Sequence, residues 1–130
     1  LSEIRANTIS DAAGTGAVTL TKQSAAKAWV NFNGTGTIAA RDSFNVASLT
    51  DNGTGDYTVN FTSAMSDGNY APSVSTSAAF GVAAIFNTSF ANASGAEAAP
   101  TASALRSSFG DTTAYRDPNY VSQVIHGDLA

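Results

Sequence analysis

Asn-Gly-Thr-Gly occurs twice in this chain, at 33–36 and 52–55, and another Gly-Thr-Gly lies at 14–16. Glycine loops of this kind cradle phosphate, ligate calcium or turn a chain. A phosphate loop leads from a strand into a helix, whose N–H groups meet the anion. Here strand-like sequence follows each loop, and no Gly-Lys-Ser/Thr is present. Asp51 and Asp56 flank the second loop and invite a calcium reading. An EF-hand loop, however, alternates oxygen ligands and ends in a distal glutamate, and Gly53 stands where a ligand belongs. The turn reading is preferred, with a cation between Asp51 and Asp56 kept as an open question.

The other chemistry-bearing residues are sparse. His126 is the single histidine and the chain has no cysteine, so neither a histidine–cysteine zinc set nor a thiol nucleophile is available. No Gly-x-Ser-x-Gly elbow accompanies it. It reads as the end of a final strand. Paired carboxylates could hydrolyse glycosides. Yet Asp11, Asp51, Asp56, Asp67, Asp111 and Asp117 all sit in turn contexts, where aspartate usually bonds the backbone. Asn-x-Ser/Thr occurs at Asn33, Asn52, Asn60, Asn87 and Asn92, as expected by chance in a chain so rich in these residues. No catalytic, cofactor-binding or metal-ligating residue is therefore assigned. Trp29, Tyr57, Tyr70, Tyr115 and Tyr120 could stack on sugars or belong to cores and subunit contacts. Tyr115 and Tyr120 flank Arg116-Asp-Pro-Asn119. Together with Asp117 and Asn119 they are the expected receptor contacts.

The elements that must position these residues follow a period of two. Ala28, Val30 and Phe32 alternate against Trp29 and Asn31, and Tyr57, Val59 and Phe61 against Thr58 and Asn60. Asp42–Leu49 reads as one strand. With Tyr57–Phe61 it makes a hairpin closed by the second Asn-Gly-Thr-Gly. Both Asn-Gly-Thr-Gly turns are expected at strand ends of one sheet. Tyr70–Ser77 is a strand that Pro72 confines to an edge or its start. Ala83–Ala91 alternates again, and Asn92–Thr101 is a surface loop. Ala104–Tyr115 and Tyr120–His126 form a last pair, turned by Arg116–Asn119. Short strands are also expected near Ile4–Ile9 and Ala17–Thr21 in an extended lead-in, residues 1–24, ahead of a domain over 25–130.

Composition bounds the rest. The chain has 130 residues, 12% of them charged, and a net charge of −4 without a basic cluster. That disfavours nucleic acid, whose phosphates need grouped Lys and Arg. No apolar run reaches the ~18 residues of a membrane helix. No basic-then-apolar leader opens the chain, and its first residue, Leu1, reads as the start of a piece of something longer. Leu, Ile, Val and Phe number 25 of 130 residues, a share near the ~20% boundary below which chains struggle to bury a core. A thin core of this sort is relieved by burying surface against identical subunits.

The run KAWVNFNGTGTIAARDSFNVASLTDNGTGDYTVNFTSAMSDGNYAPSVS, residues 27–75, resembles a recurring module of tailed-bacteriophage fibre and related virion proteins. The lead-in LSEIRANTISDAAGTGAVTLTKQSA and the tail NYVSQVIHG are similar to the approach and closing strand of such modules. The resemblance implies a C-terminal module of an external virion appendage, homotrimeric and displayed toward the host. It brings no catalytic residue. The chain departs from the pattern where Gln123 and His126 interrupt the closing strand.

The resulting expectation is an all-β chain: a small antiparallel, jelly-roll-like β-sandwich with an extended N-terminal lead-in, trimeric and without cofactor. Its partners are copies of itself, other virion proteins and a host surface glycan or protein. A head or capsid decoration without receptor binding, and a carbohydrate-active depolymerase, are the alternatives.

Overall fold

The period-two alternation becomes eight strands in the computed structural model, which describes residues 25–77 and 86–130, with the backbone alone for 86–89. They are β1 (Ala28–Asn33), β2 (Ala39–Phe44), β3 (Val46–Gly53), β4 (Asp56–Phe61), β5 (Ala71–Thr76), β6 (Phe86–Ser89), β7 (Ala104–Gly110) and β8 (Val121–His126). No helix occurs among the described residues. One sheet has the order β2-β1-β8-β5 and the other β3-β4-β7-β6. Every ladder is antiparallel.

The two sheets pack face to face as a small β-sandwich. Ala28, Val30, Phe32, Val121 and Ile125 point inward from the first sheet. Tyr57, Val59, Phe61, Leu105 and Phe109 meet them from the second. The Phe32 and Tyr57 rings touch edge-on across the gap, with centroids 5.3 Å apart. Each fully buried side chain of this size contributes about 1.5–3 kcal/mol by leaving water. Gln123 also points inward from β8. Its Nε2 donates weakly to Ser107 Oγ at 3.4 Å, while its buried Oε1 has no protein partner.

Several expectations hold. β1 and β4 bury the residues named for them. β3 and β4 form the expected hairpin, with Leu49 opposite Val59 and Gly53 opposite Asp56. Pro72 lies in β5, an edge strand, where its missing N–H costs no ladder bond. His126 ends β8.

Others are corrected. Asp42–Leu49 is not one strand, because the chain crosses between sheets at Asn45, whose φ is 55°. Asparagine tolerates this left-handed backbone. Its Nδ2 donates to the carbonyls of Lys27 and Ser63, and its Oδ1 accepts from Ser63 N. The two Asn-Gly-Thr-Gly turns consequently belong to different sheets. Ala104–Tyr115 also breaks, at Asp111. Its Oδ1 accepts from Thr113 N and Ala114 N, turning the chain after β7. β7 and β8 are not a pair but lie in opposite sheets, and 116–119 is the crossing between them. The wrapping is not that of a jelly roll, whose successive strands alternate between sheets: β1 and β2 share one sheet, β3 and β4 the other. The expected strands at Ile4–Ile9 and Ala17–Thr21, the Gly-Thr-Gly at 14–16, and residues 83–85 of the alternating run lie outside the described residues.

Candidate functional site

β1 ends, β4 begins, β7 ends and β8 begins at one end of the sandwich. Three connections meet there: the turn after β1, the turn between β3 and β4, and the crossing at 116–119. Tyr57 holds them together. Its ring is buried between Phe32 and Phe109. Its hydroxyl lies 2.8 Å from the Gly34 carbonyl and 2.6 Å from Asp117 Oδ1, two acceptors for one proton. Burial, and after it the hydrogen bond and charge of Asp117, push the phenol far above its usual range.

The glycines serve this convergence. Gly34 N donates to the Pro118 carbonyl at 3.0 Å, and a Cβ at Gly34 would fall 2.7 Å from that oxygen. Gly55 has φ 67° and donates its N–H to Asp117 Oδ1 at 2.6 Å. A Cβ there would collide with the Phe109 carbonyl and crowd the backbone of Arg116. Both positions need close backbone approach, which only glycine allows.

The expected contact residues separate into three roles. Asp117 faces inward and accepts from Gly55 and Tyr57. Tyr115 is half-buried against the loop after β6, with its hydroxyl 3.5 Å from the Asn92 carbonyl. Asn119 and Tyr120 are exposed and adjoin a residue that sequence reasoning passed over. Arg41 lays its guanidinium over the Tyr120 ring, 3.9 Å from the centroid. Its Nη2 donates to the carbonyl oxygen of Asn119 at 2.8 Å and to Asn119 Oδ1 at 3.3 Å. Nothing in the local sequence marks Arg41, since Asn119 lies 78 positions away and Tyr120 one further. Of the other aromatics, Tyr57 and Tyr70 belong to the core and Trp29 to the outer face of the first sheet, opposite Phe44.

The carboxylates flanking the second turn are otherwise engaged. Asp56 is buried and held by Arg106, with Nε to Oδ1 and Nη2 to Oδ2 both at 2.8 Å. Ala93 N adds a bond at 2.7 Å. Burial raises the Asp56 carboxyl. The hydrogen bonds from Arg106 and Ala93, with the guanidinium charge, outweigh that and hold it below the usual carboxylate range. Asp51 Oδ1 accepts from Gly53 N. A cation on Asp56 would have to compete with the Arg106 guanidinium for both carboxylate oxygens. Among the described residues no three metal-ligating side chains gather.

Comparison with known protein families, curated proteins and solved structures gave no match. The functional reading therefore rests on the chain's own residues. What this end of the molecule offers chemically is a rigid loop platform carrying an exposed cation, an aromatic ring and an amide.

Proposed function

We propose that this chain is a non-enzymatic structural module of a bacteriophage virion appendage, of tail-fibre or similar type. It assembles as a homotrimer and presents its loop end to the host surface for attachment. The observation that carries the attachment reading is the junction of three connections on Tyr57 and Asp117. It ties down the segment that leads into Asn119 and Tyr120, against which the Arg41 side chain rests, and binding side chains work best on such a scaffold.

The non-enzymatic reading is supported by the turn aspartates. Asp51, Asp56, Asp67, Asp111 and Asp117 each bond a backbone N–H, the structural use of aspartate expected in turns. Self-association is supported by surface that the described residues leave uncovered. A cavity of about 310 Å³ opens between the edge strands β2 and β3, lined by Ile38, Val46 and Leu49 among others. On the outer face of the same edge, opposite Trp29, Phe44 is 53% exposed. A second copy covering this side would supply burial that the thin core lacks.

The test is adsorption of the fluorescently labelled protein to host cells, with its mass measured in native buffer. Saturable adsorption by a trimer is expected. A folded trimer that adsorbs to no host cell or envelope extract leaves only the architectural role. A stable monomer overturns the assembly.

A further inference from the structure

Arg41 owes its position to a β-bulge. Asn31 pairs with Asp42 and Phe32 with Ala40, so Arg41 is the extra residue on β2. Bulges re-aim side chains, and this one aims Arg41 at Asn119 and Tyr120. Five N–H bonds radiate from a guanidinium. Two are taken by Asn119, and Nη1 lies 3.5 Å from Asn31 Oδ1. The Nε–H and one Nη1–H have no acceptor among the described residues.

The nearby acids do not claim them. Asp117 is turned inward to Tyr57 and Gly55. Asp42 Oδ1 accepts from Ser43 N. The other described arginines differ, for Arg106 is paired with Asp56 and Arg116 with Asp111. Arg41 is thus exposed, oriented and without a carboxylate among the described residues.

We propose that Arg41, Tyr120 and Asn119 form a recognition site for a carboxylate-bearing sugar of an acidic polysaccharide. A guanidinium fork matches one carboxylate. Among the described residues the other two arginines are already paired with acids, which disfavours a more highly charged phosphate. Tyr120, 51% exposed, offers an apolar ring to a pyranose. The exposed Asn119 amide, whose Oδ1 accepts from Arg41, keeps its N–H donors for a sugar hydroxyl. This assignment rests on the attachment reading and names its ligand class.

The experiment titrates the full chain with acidic oligosaccharides (oligogalacturonate, oligomannuronate and oligosialate) at low salt, alongside their carboxyl-reduced forms and polyglutamate. At least one acidic oligosaccharide is expected to bind, its reduced form and polyglutamate are not, and Arg41→Ala should weaken binding at least tenfold. Tyr120→Ala should weaken it several-fold. Both side chains are exposed, so circular dichroism should confirm that the variants keep the fold. Failure of all three acidic probes overturns the proposal. So does equal binding by a reduced form, by polyglutamate or by Arg41→Ala. Cell adsorption that Arg41→Ala leaves unchanged overturns the sugar site while the attachment reading stands. Absence of adsorption by the unaltered chain overturns the attachment reading itself.

Discussion

The Tyr57 hydroxyl meets the Asp117 carboxylate at 2.6 Å across 60 positions of sequence. One side chain comes from the middle of a sheet, the other from a turn between sheets. Their contact sets the shape of the whole loop end.

Tyr57→Phe keeps the ring and removes the hydroxyl. Gly34 and Asp117 then lose a shared donor. Hydrogen bonds to charged groups are worth about 1.5–3 kcal/mol, so a loss in the lower part of that range is expected in urea unfolding. Adsorption should fall with it. An unchanged unfolding midpoint would mean the hydroxyl is dispensable.

Gly55→Ala tests the backbone rather than a side chain. The new methyl meets the Phe109 carbonyl, and the positive φ disfavours it as well. A left-handed non-glycine residue costs about 1–3 kcal/mol before any collision is added. Gly36→Ala is the control, since φ there is also positive but no atom lies within 4 Å of its Cβ. The Gly55 variant should be clearly the less stable by thermal unfolding.

Arg106→Ala strands the buried Asp56 carboxylate. The cost should be on the order of 2 kcal/mol, below the ~3–5 of a fully buried pair because Arg106 is partly exposed. The pH dependence follows from the directions. Asp56 is held below its ordinary 3.8, so its stabilising effect is complete well above that value and fades as pH falls through the lowered one. Tyr70, pushed by burial from 10.0 to about 12, contributes stability below pH 10 that is lost between there and 12. Asp56→Asn should make the acid limb of a stability–pH curve shallower, with the lowered Asp111 and Asp67 keeping part of it, and Tyr70→Phe the alkaline limb, with the raised Tyr57 keeping the rest.

Gln123 and Ser107 face each other across the core through a long 3.4 Å bond. Replacing both by apolar groups removes an orphaned carbonyl oxygen. The double variant Gln123→Leu, Ser107→Ala should be neutral or more stable by about 1 kcal/mol. A loss above that in chemical unfolding would show that this polar contact is needed.

Phe44→Asp places a charge beside Trp29 at the uncovered edge. It should leave the protomer folded and lower the assembly mass in native buffer. A trimer that persists would place the subunit contact elsewhere.

Alternation in AWVNF and DYTVNF was enough to name the inward faces of β1 and β4, because side chains of a strand point to opposite faces at every step. Asn-Gly-Thr-Gly before Asp56 was enough to predict a hairpin, because glycine supplies the positive φ of a tight turn, but the turn falls on Thr54-Gly55 and Asn52-Gly53 belong to β3. Asn45 shows where local reading stops. Nothing in DSFNVASL distinguishes a continuous strand from one that leaves its sheet, since the bonds that hold Asn45 come from Lys27 and Ser63. The same limit applied at the candidate site. Tyr120 and Asn119 were legible as turn-flanking residues. That Asp117 turns inward, and that Arg41 arrives from β2 to lie on Tyr120, depended on contacts between distant segments. Backbone preference and hydrophobic period act over a few residues and are written in the chain. The pairing of strands and the company of a charge are fixed only when remote segments share one volume, and that is what the tertiary structure decided.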